Sequence, residues 1–179
     1  MYYSEGRKLI YLHNPKCGGT TLGTWLESQF GFRHYNNKSD KVPGTSIIER
    51  HRYQVPREFE GYTVFTTFRN PFSRWESFFR YYTQHGLQSG MDFEEFTQKL
   101  YGHLPKQSHY LNASDVWIPH DSIECHCNAI GLSSELPPVR HNISDRSIQV
   151  TWTPTTIQIV ERHFREDLDL ILPSPRRYS

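Results

Sequence analysis

The stretch Pro15-Lys16-Cys17-Gly18-Gly19-Thr20-Thr21 offers successive backbone N–H groups where a helical pattern begins, and its glycines permit close approach of a ligand. Lys16 adds a mobile ammonium, and Thr20 and Thr21 add hydroxyl donors. That is chemistry suited to holding a phosphate or a sulfate. A plain strand-to-helix turn with a solvated lysine uses the same residues, and this loop alone leaves both readings open. The phosphate loop of nucleoside triphosphatases does not fit, because there the lysine follows the glycines and here it precedes them.

A second stretch, Arg69-Asn70-Pro71-Phe72-Ser73-Arg74-Trp75-Glu76-Ser77, sets an arginine at the end of a β-prone run. Arg74 and Ser77, three residues apart, are expected on one side of the helix that follows, away from its aromatic stripe. Two guanidinium groups and a hydroxyl suit a second phosphate. An exposed helix start with ordinary surface arginines describes the segment equally.

These loops need strands and helices to hold them. Lys8 to His13 reads as a strand, and Leu22, Trp25, Leu26 and Phe30 fall at helical spacing after the first loop. Tyr62 to Phe68 is the clearest strand, rich in β-branched and aromatic residues. Asn70 then suits an N-cap with Pro71 at the first helical position, and Phe72, Trp75, Phe78, Phe79 and Tyr82 form one stripe of a helix ending near Gly86. Asp92 opens a short helix through Phe93, Phe96 and Leu100. Pro105 to His120 lacks periodicity, and Asp121 to Cys127 is expected as a third strand. Thr153-Pro154 begins a last helix with Ile157, Val160, Phe164 and Leu168 on its apolar face. The alternation predicts one α/β domain over residues 1–179, a central parallel sheet flanked by helices with P-loop-like strand-loop-helix units, whose ligands sit at the carboxyl ends of the strands.

Composition limits the partners. Twenty basic and nineteen acidic side chains in 179 residues leave a formal charge of +1, which gives no bulk attraction to nucleic acid or to an anionic membrane. An anion site must therefore be built locally. The apolar fraction is 36% and the aromatic fraction 15%, so the core is expected to rely on ring volume. Three cysteines, Cys17, Cys125 and Cys127, do not form a disulfide framework, and no apolar run approaches the roughly 20 residues of a membrane span. Met1 to Lys8 is polar and leaves no room for a signal peptide, so a cytoplasmic protein is expected, in which the sequons at Asn37, Asn112 and Asn142 are chance matches. Cys125-His126-Cys127 lacks the separated second pair of ligands of a closed zinc site, and no metal is expected.

Taken together, the two loops resemble those of the sulfotransferase family. There a Pro-Lys-x-Gly-x-Thr-like loop after the first strand holds the 5′-phosphosulfate of 3′-phosphoadenosine 5′-phosphosulfate (PAPS). An Arg-Asp/Asn-Pro segment with a serine eight residues after the arginine holds its 3′-phosphate. Lys16, Gly18, Gly19, Thr20 and Thr21 match the first, and Arg69 and Ser77 match the second. Cys17 stands where the family usually has Ser or Thr. Arg140 to Arg146 looks like the late loop that closes over the nucleotide in membrane-type carbohydrate sulfotransferases, here in a short soluble version, which implies donor contacts from Asn142, Ser144 and Arg146. The helix that follows carries a similar Asp-Leu-x-Leu ending, Asp167 to Leu170, although the region before Arg140 is too short for the usual intervening helix.

The resemblance implies sulfuryl transfer to an acceptor hydroxyl or amine, a carbohydrate being favoured. Lys16 then faces the charge growing on the departing nucleotide. His51 precedes Arg69 by a span similar to that of the family's histidine base, and Glu49 is the alternative, because other members use a glutamate. Gln107-Ser108-His109-Tyr110 resembles a segment near the acceptor. A non-catalytic anion-binding module with the same loops, and a phosphotransferase requiring Mg²⁺ and a nucleoside triphosphate, are the competing readings.

Overall fold

The computed structural model describes residues 1–35, 51–87, 90–123, 127–132 and 144–172. The described residues belong to two compact units. One is drawn from Met1–Arg69 and His109–Asn142, the other from Asn70–Ser108 and Ile143–Ser179.

The first unit is a five-stranded sheet in the order β3-β1-β2-β4-β5, made of β1 (Tyr2–Ser4), β2 (Leu9–Leu12), β3 (Arg33–His34), β4 (Thr63–Phe68) and β5 (Val116–Pro119). β2 pairs with β4, and β4 with β5, in parallel, with Leu12 opposite Thr66 and Phe68 opposite Pro119. β1 runs antiparallel to both β2 and β3. The sheet is therefore mixed, which corrects the expectation of a parallel one. The reason lies in the first residues. Tyr2 to Ser4, within the polar stretch Met1 to Lys8, turns back at Glu5 to Lys8 and pairs with the strand that follows.

Helix α1 (Gly19–Phe30) covers the sheet with Leu22, Trp25 and Leu26, which join Tyr11, Phe65 and Ile118 in one core cluster. Ile10, Leu12, Val64 and Tyr110 belong to another, with Met1 and Phe59. β2 and the middle of β4 are buried on both faces, as parallel strands generally are, and so read as continuous apolar runs. Gly31, in the left-handed region at φ 64°, ends α1.

The expected third strand is displaced. Pairing falls at Val116–Pro119, whereas His120–Ser122 is a 3-10 turn. Pro119 lacks an N–H, which an edge strand such as β5 tolerates.

The second unit is helical. α2 (Pro71–Gln84) starts as expected, the Asn70 side chain accepting from the N–H groups of Phe72 and Ser73. In α3 (Phe93–Leu100) the Asp92 carboxylate accepts from Glu95 N–H at 2.8 Å. After the short helix α4 (Ser108–Leu111), whose residues from His109 on belong to the first unit, the second unit resumes with α5 (Pro154–His163), opened by a Thr153 capping box, and α6 (Arg165–Ile171). Trp75, Phe78, Phe79, Phe93, Phe96 and Phe164 form the core, and the indole N–H of Trp75 is satisfied by Thr97 Oγ1 at 2.9 Å. The last helical run breaks at Phe164, and Ile157 is exposed while Thr156 and Val160 are buried, so its inward face differs from the expected one by a residue.

Candidate functional site

Because β2, β4 and β5 are parallel, the residues after each strand lie at one edge of the sheet. His13 to Cys17 follow β2, Arg69 follows β4, and His120 follows β5. Asn14 fastens this edge: its fully buried side-chain amide donates to Thr67 O at 2.9 Å. Beside it Thr66 Oγ1 donates to Leu12 O at 2.8 Å.

The first loop then turns twice through left-handed backbone, at Lys16 (φ 64°) and Gly18 (φ 78°). A lysine there is uncommon and costs energy, whereas alternation of hands turns successive N–H groups to one side. Gly18 is the N-cap of α1 with no side-chain capping bond, and no acidic residue stands in the first turn. The helix start therefore keeps its positive field. Cys17 is buried, its thiol directed at Pro15 O at 3.6 Å; Lys16 and Thr21 are half-buried, and Thr20 is exposed.

Both glycines are required. A Cβ on Gly18 would lie 2.9 Å from Cδ2 and 3.3 Å from Nε2 of His120, at a φ that already disfavours any side chain. A Cβ on Gly19 would overlap the Cδ2–Nε2 edge of His13. Two imidazoles thus press on adjacent glycines, and sequence reasoning assigned a role to neither. His13 was legible only as the last residue of a strand. His120 follows a strand that periodicity did not reveal. Its Nδ1 meets Asp121 Oδ1 at 2.9 Å.

His51, the candidate base, comes to this edge. Its ring meets the His13 ring edge to face at 4.6 Å, and its carbonyl accepts from Tyr110 Oη at 2.8 Å. Burial first, and then the His51 neighbour, hold the pKa of His13 well below the usual 6.5, so His13 is neutral at pH 7. Arg69 is half-buried. Glu49 and Asn142 lie outside the described residues, as do Arg140, Cys125 and His126.

In the second unit, Ser77, expected at the 3′-phosphate, and Ser144, expected in the loop over the nucleotide, have their hydroxyl oxygens 3.1 Å apart. Arg146 is exposed. Arg74, expected near Ser77 and away from the aromatic stripe, is enclosed. It is 1% exposed, donates to Pro105 O at 2.9 Å, and stands 4.0 Å from Asp167. Asp167 in turn accepts from the backbone N–H groups of Gln107 and Ser108 at 2.9 and 2.8 Å. Helix α2 is buried on more than its aromatic stripe, and Arg74 is the cation of that second face.

The segment expected near the acceptor divides: Gln107, Ser108 and Tyr110 are buried and His109 is exposed. Among the described residues no three of His, Cys, Asp and Glu gather as a metal would need, and no helix is long and apolar enough to cross a membrane. No protein-family model, curated protein or solved structure matches the chain.

Proposed function

We propose, first, that the chain is an anion-binding α/β transferase, and more particularly that it is a sulfotransferase using PAPS. The observation that carries this reading is the left-handed pair Lys16 and Gly18, set before the uncapped start of α1 at the carboxyl edge of three parallel strands. Such a loop suits the phosphosulfate, and its lysine precedes the glycines as the resemblance requires.

In this reading Lys16 and the loop N–H groups meet the charge that grows on the bridging oxygen as the sulfur–oxygen bond of the donor breaks. His51, with Glu49 as the alternative, takes the acceptor's proton while the acceptor oxygen bonds to sulfur in line with the departing adenosine 3′,5′-bisphosphate. Arg69 and Ser77 hold the 3′-phosphate, with Ser144 beside Ser77. Asn142 and Arg146 belong to the loop over the nucleotide, whereas the enclosed Arg74 is left to structure. A carbohydrate hydroxyl is the favoured acceptor. A cytoplasmic setting goes with this reading.

Thermal unfolding tests the reading. Adenosine 3′,5′-bisphosphate without metal is expected to raise Tm, because a ligand that binds only the folded chain stabilises it. ATP with Mg²⁺ is expected to do less, and an equal or greater rise with ATP and Mg²⁺ would favour a phosphotransferase instead.

A further inference from the structure

The His13 ring has two neighbours that matter for this chemistry. Its Cδ2–Nε2 edge lies against Gly19 of the anion loop, and the His51 ring meets it at 4.6 Å with an interplanar angle of 75°. It is backed by the near-parallel ring of Tyr11 at 6.2 Å and by Tyr2 at 6.4 Å. Tyr11 is itself pinned, its hydroxyl 3.1 Å from Thr67 Oγ1. Among the described residues no hydrogen bond is made by the ring nitrogens of His13, so contact alone holds the imidazole.

We propose that His13 is a positioning residue, a spacer whose ring sets the distance between the anion loop and the imidazole of His51. The inference rests on the sulfotransferase reading above, in which His51 takes the acceptor's proton. Proton removal and in-line attack must occur at one oxygen, so the base has to keep a fixed distance from the loop that holds the sulfuryl group. A displacement of about 1 Å costs on the order of a hundredfold in rate. Tyr110 fixes the backbone of His51 through its carbonyl, and the His13 ring meets its imidazole edge to face. A glycine at 19 and a flat ring at 13 are then two parts of one gauge.

The test is a double-mutant cycle. Turnover is read as release of adenosine 3′,5′-bisphosphate from PAPS with a desulfated glycosaminoglycan as acceptor, and donor-site affinity by calorimetry with the bisphosphate. His13→Ala is expected to lower kcat by roughly tenfold to a hundredfold, while the bisphosphate Kd stays within about threefold, since an interaction that only aligns the reaction leaves binding alone. On top of His51→Ala it is expected to cost nothing further, because its effect passes through His51. His13→Phe, which restores a ring, recovers most of the turnover. Losses that multiply in the double variant, or a His13→Phe enzyme as slow as His13→Ala, overturn the spacer role. A second measurement needs no turnover: Gly19→Ala is expected to lower Tm sharply in the native background and much less alongside His13→Ala, and equal drops overturn the contact. A native protein that neither binds the bisphosphate nor consumes PAPS overturns the sulfotransferase reading and this inference with it. Binding and turnover with multiplying losses remove the inference alone.

Discussion

The guanidinium of Arg74 stands 4.0 Å from the carboxylate of Asp167, and both side chains are closed off from solvent. Removing one partner strands the other charge where water cannot reach it. Arg74→Ala is expected to cost about 3 to 5 kcal/mol of unfolding free energy. Replacing both residues by apolar ones does not restore stability, because the Gln107 and Ser108 N–H groups then lose their acceptor. Urea unfolding of the single and double variants checks this.

Lys16 carries a backbone cost that alanine would share and glycine would not. Lys16→Gly is therefore expected to be more stable than Lys16→Ala by about 1 kcal/mol, the reverse of their order in a helix. Both remove the ammonium and are expected to depress turnover. Denaturation midpoints, compared with rates, separate backbone from charge.

The lowered pKa of His13 makes stability depend on pH, and the sign follows from proton counts. Unfolded His13 titrates near its ordinary 6.5 and the folded residue well below it, so between those values the unfolded chain binds more protons. The contribution is whole above about pH 6.5 and is lost as pH falls toward the folded value. His163, lowered by burial and then by the charge of Lys106, acts in the same direction. Tm is expected to fall from pH 7 to pH 5, with a shallower fall in His13→Phe.

Arg69→Ala and Ser77→Ala are each expected to weaken adenosine 3′,5′-bisphosphate by roughly 1 to 3 kcal/mol. Adenosine 5′-phosphosulfate, which lacks the 3′-phosphate, is expected to be little affected. Calorimetry with both ligands decides the matter, and equal weakening would remove these residues from the 3′-phosphate.

Much of the framework was legible where one physical signal dominated. β4 is buried through its middle and reads as a β-branched and aromatic run, and α2 and α3 announce themselves by Asn70, Pro71 and Asp92 before aromatic stripes. β1 was hidden because it has only three residues, joined to β2 by the polar turn of Glu5 to Lys8 and to β3 only across α1, and β5 because it is short and ends in proline. The burial of Arg74 was not legible because periodicity weighs only apolar residues, while its neighbour Asp167 lies far along the chain. The loop of Pro15 to Thr21 was visible as a pattern of glycines and a lysine. The imidazoles that make those glycines necessary were not, because a ring contact between His120 and Gly18 leaves no local trace.

The path of the chain between the units bears on how it is synthesised. It leaves the first unit after Arg69, comes back at His109 and leaves again after Asn142. β4 is translated long before its neighbour β5, and Phe65 cannot pair with Val116 until every residue of 70–108 has emerged from the ribosome. Pairings of such sequence separation close slowly. During that interval β4 has an unsatisfied edge, a time when a nascent chain is open to wrong partners. A single cut anywhere in the gene deprives at least one unit of residues it needs.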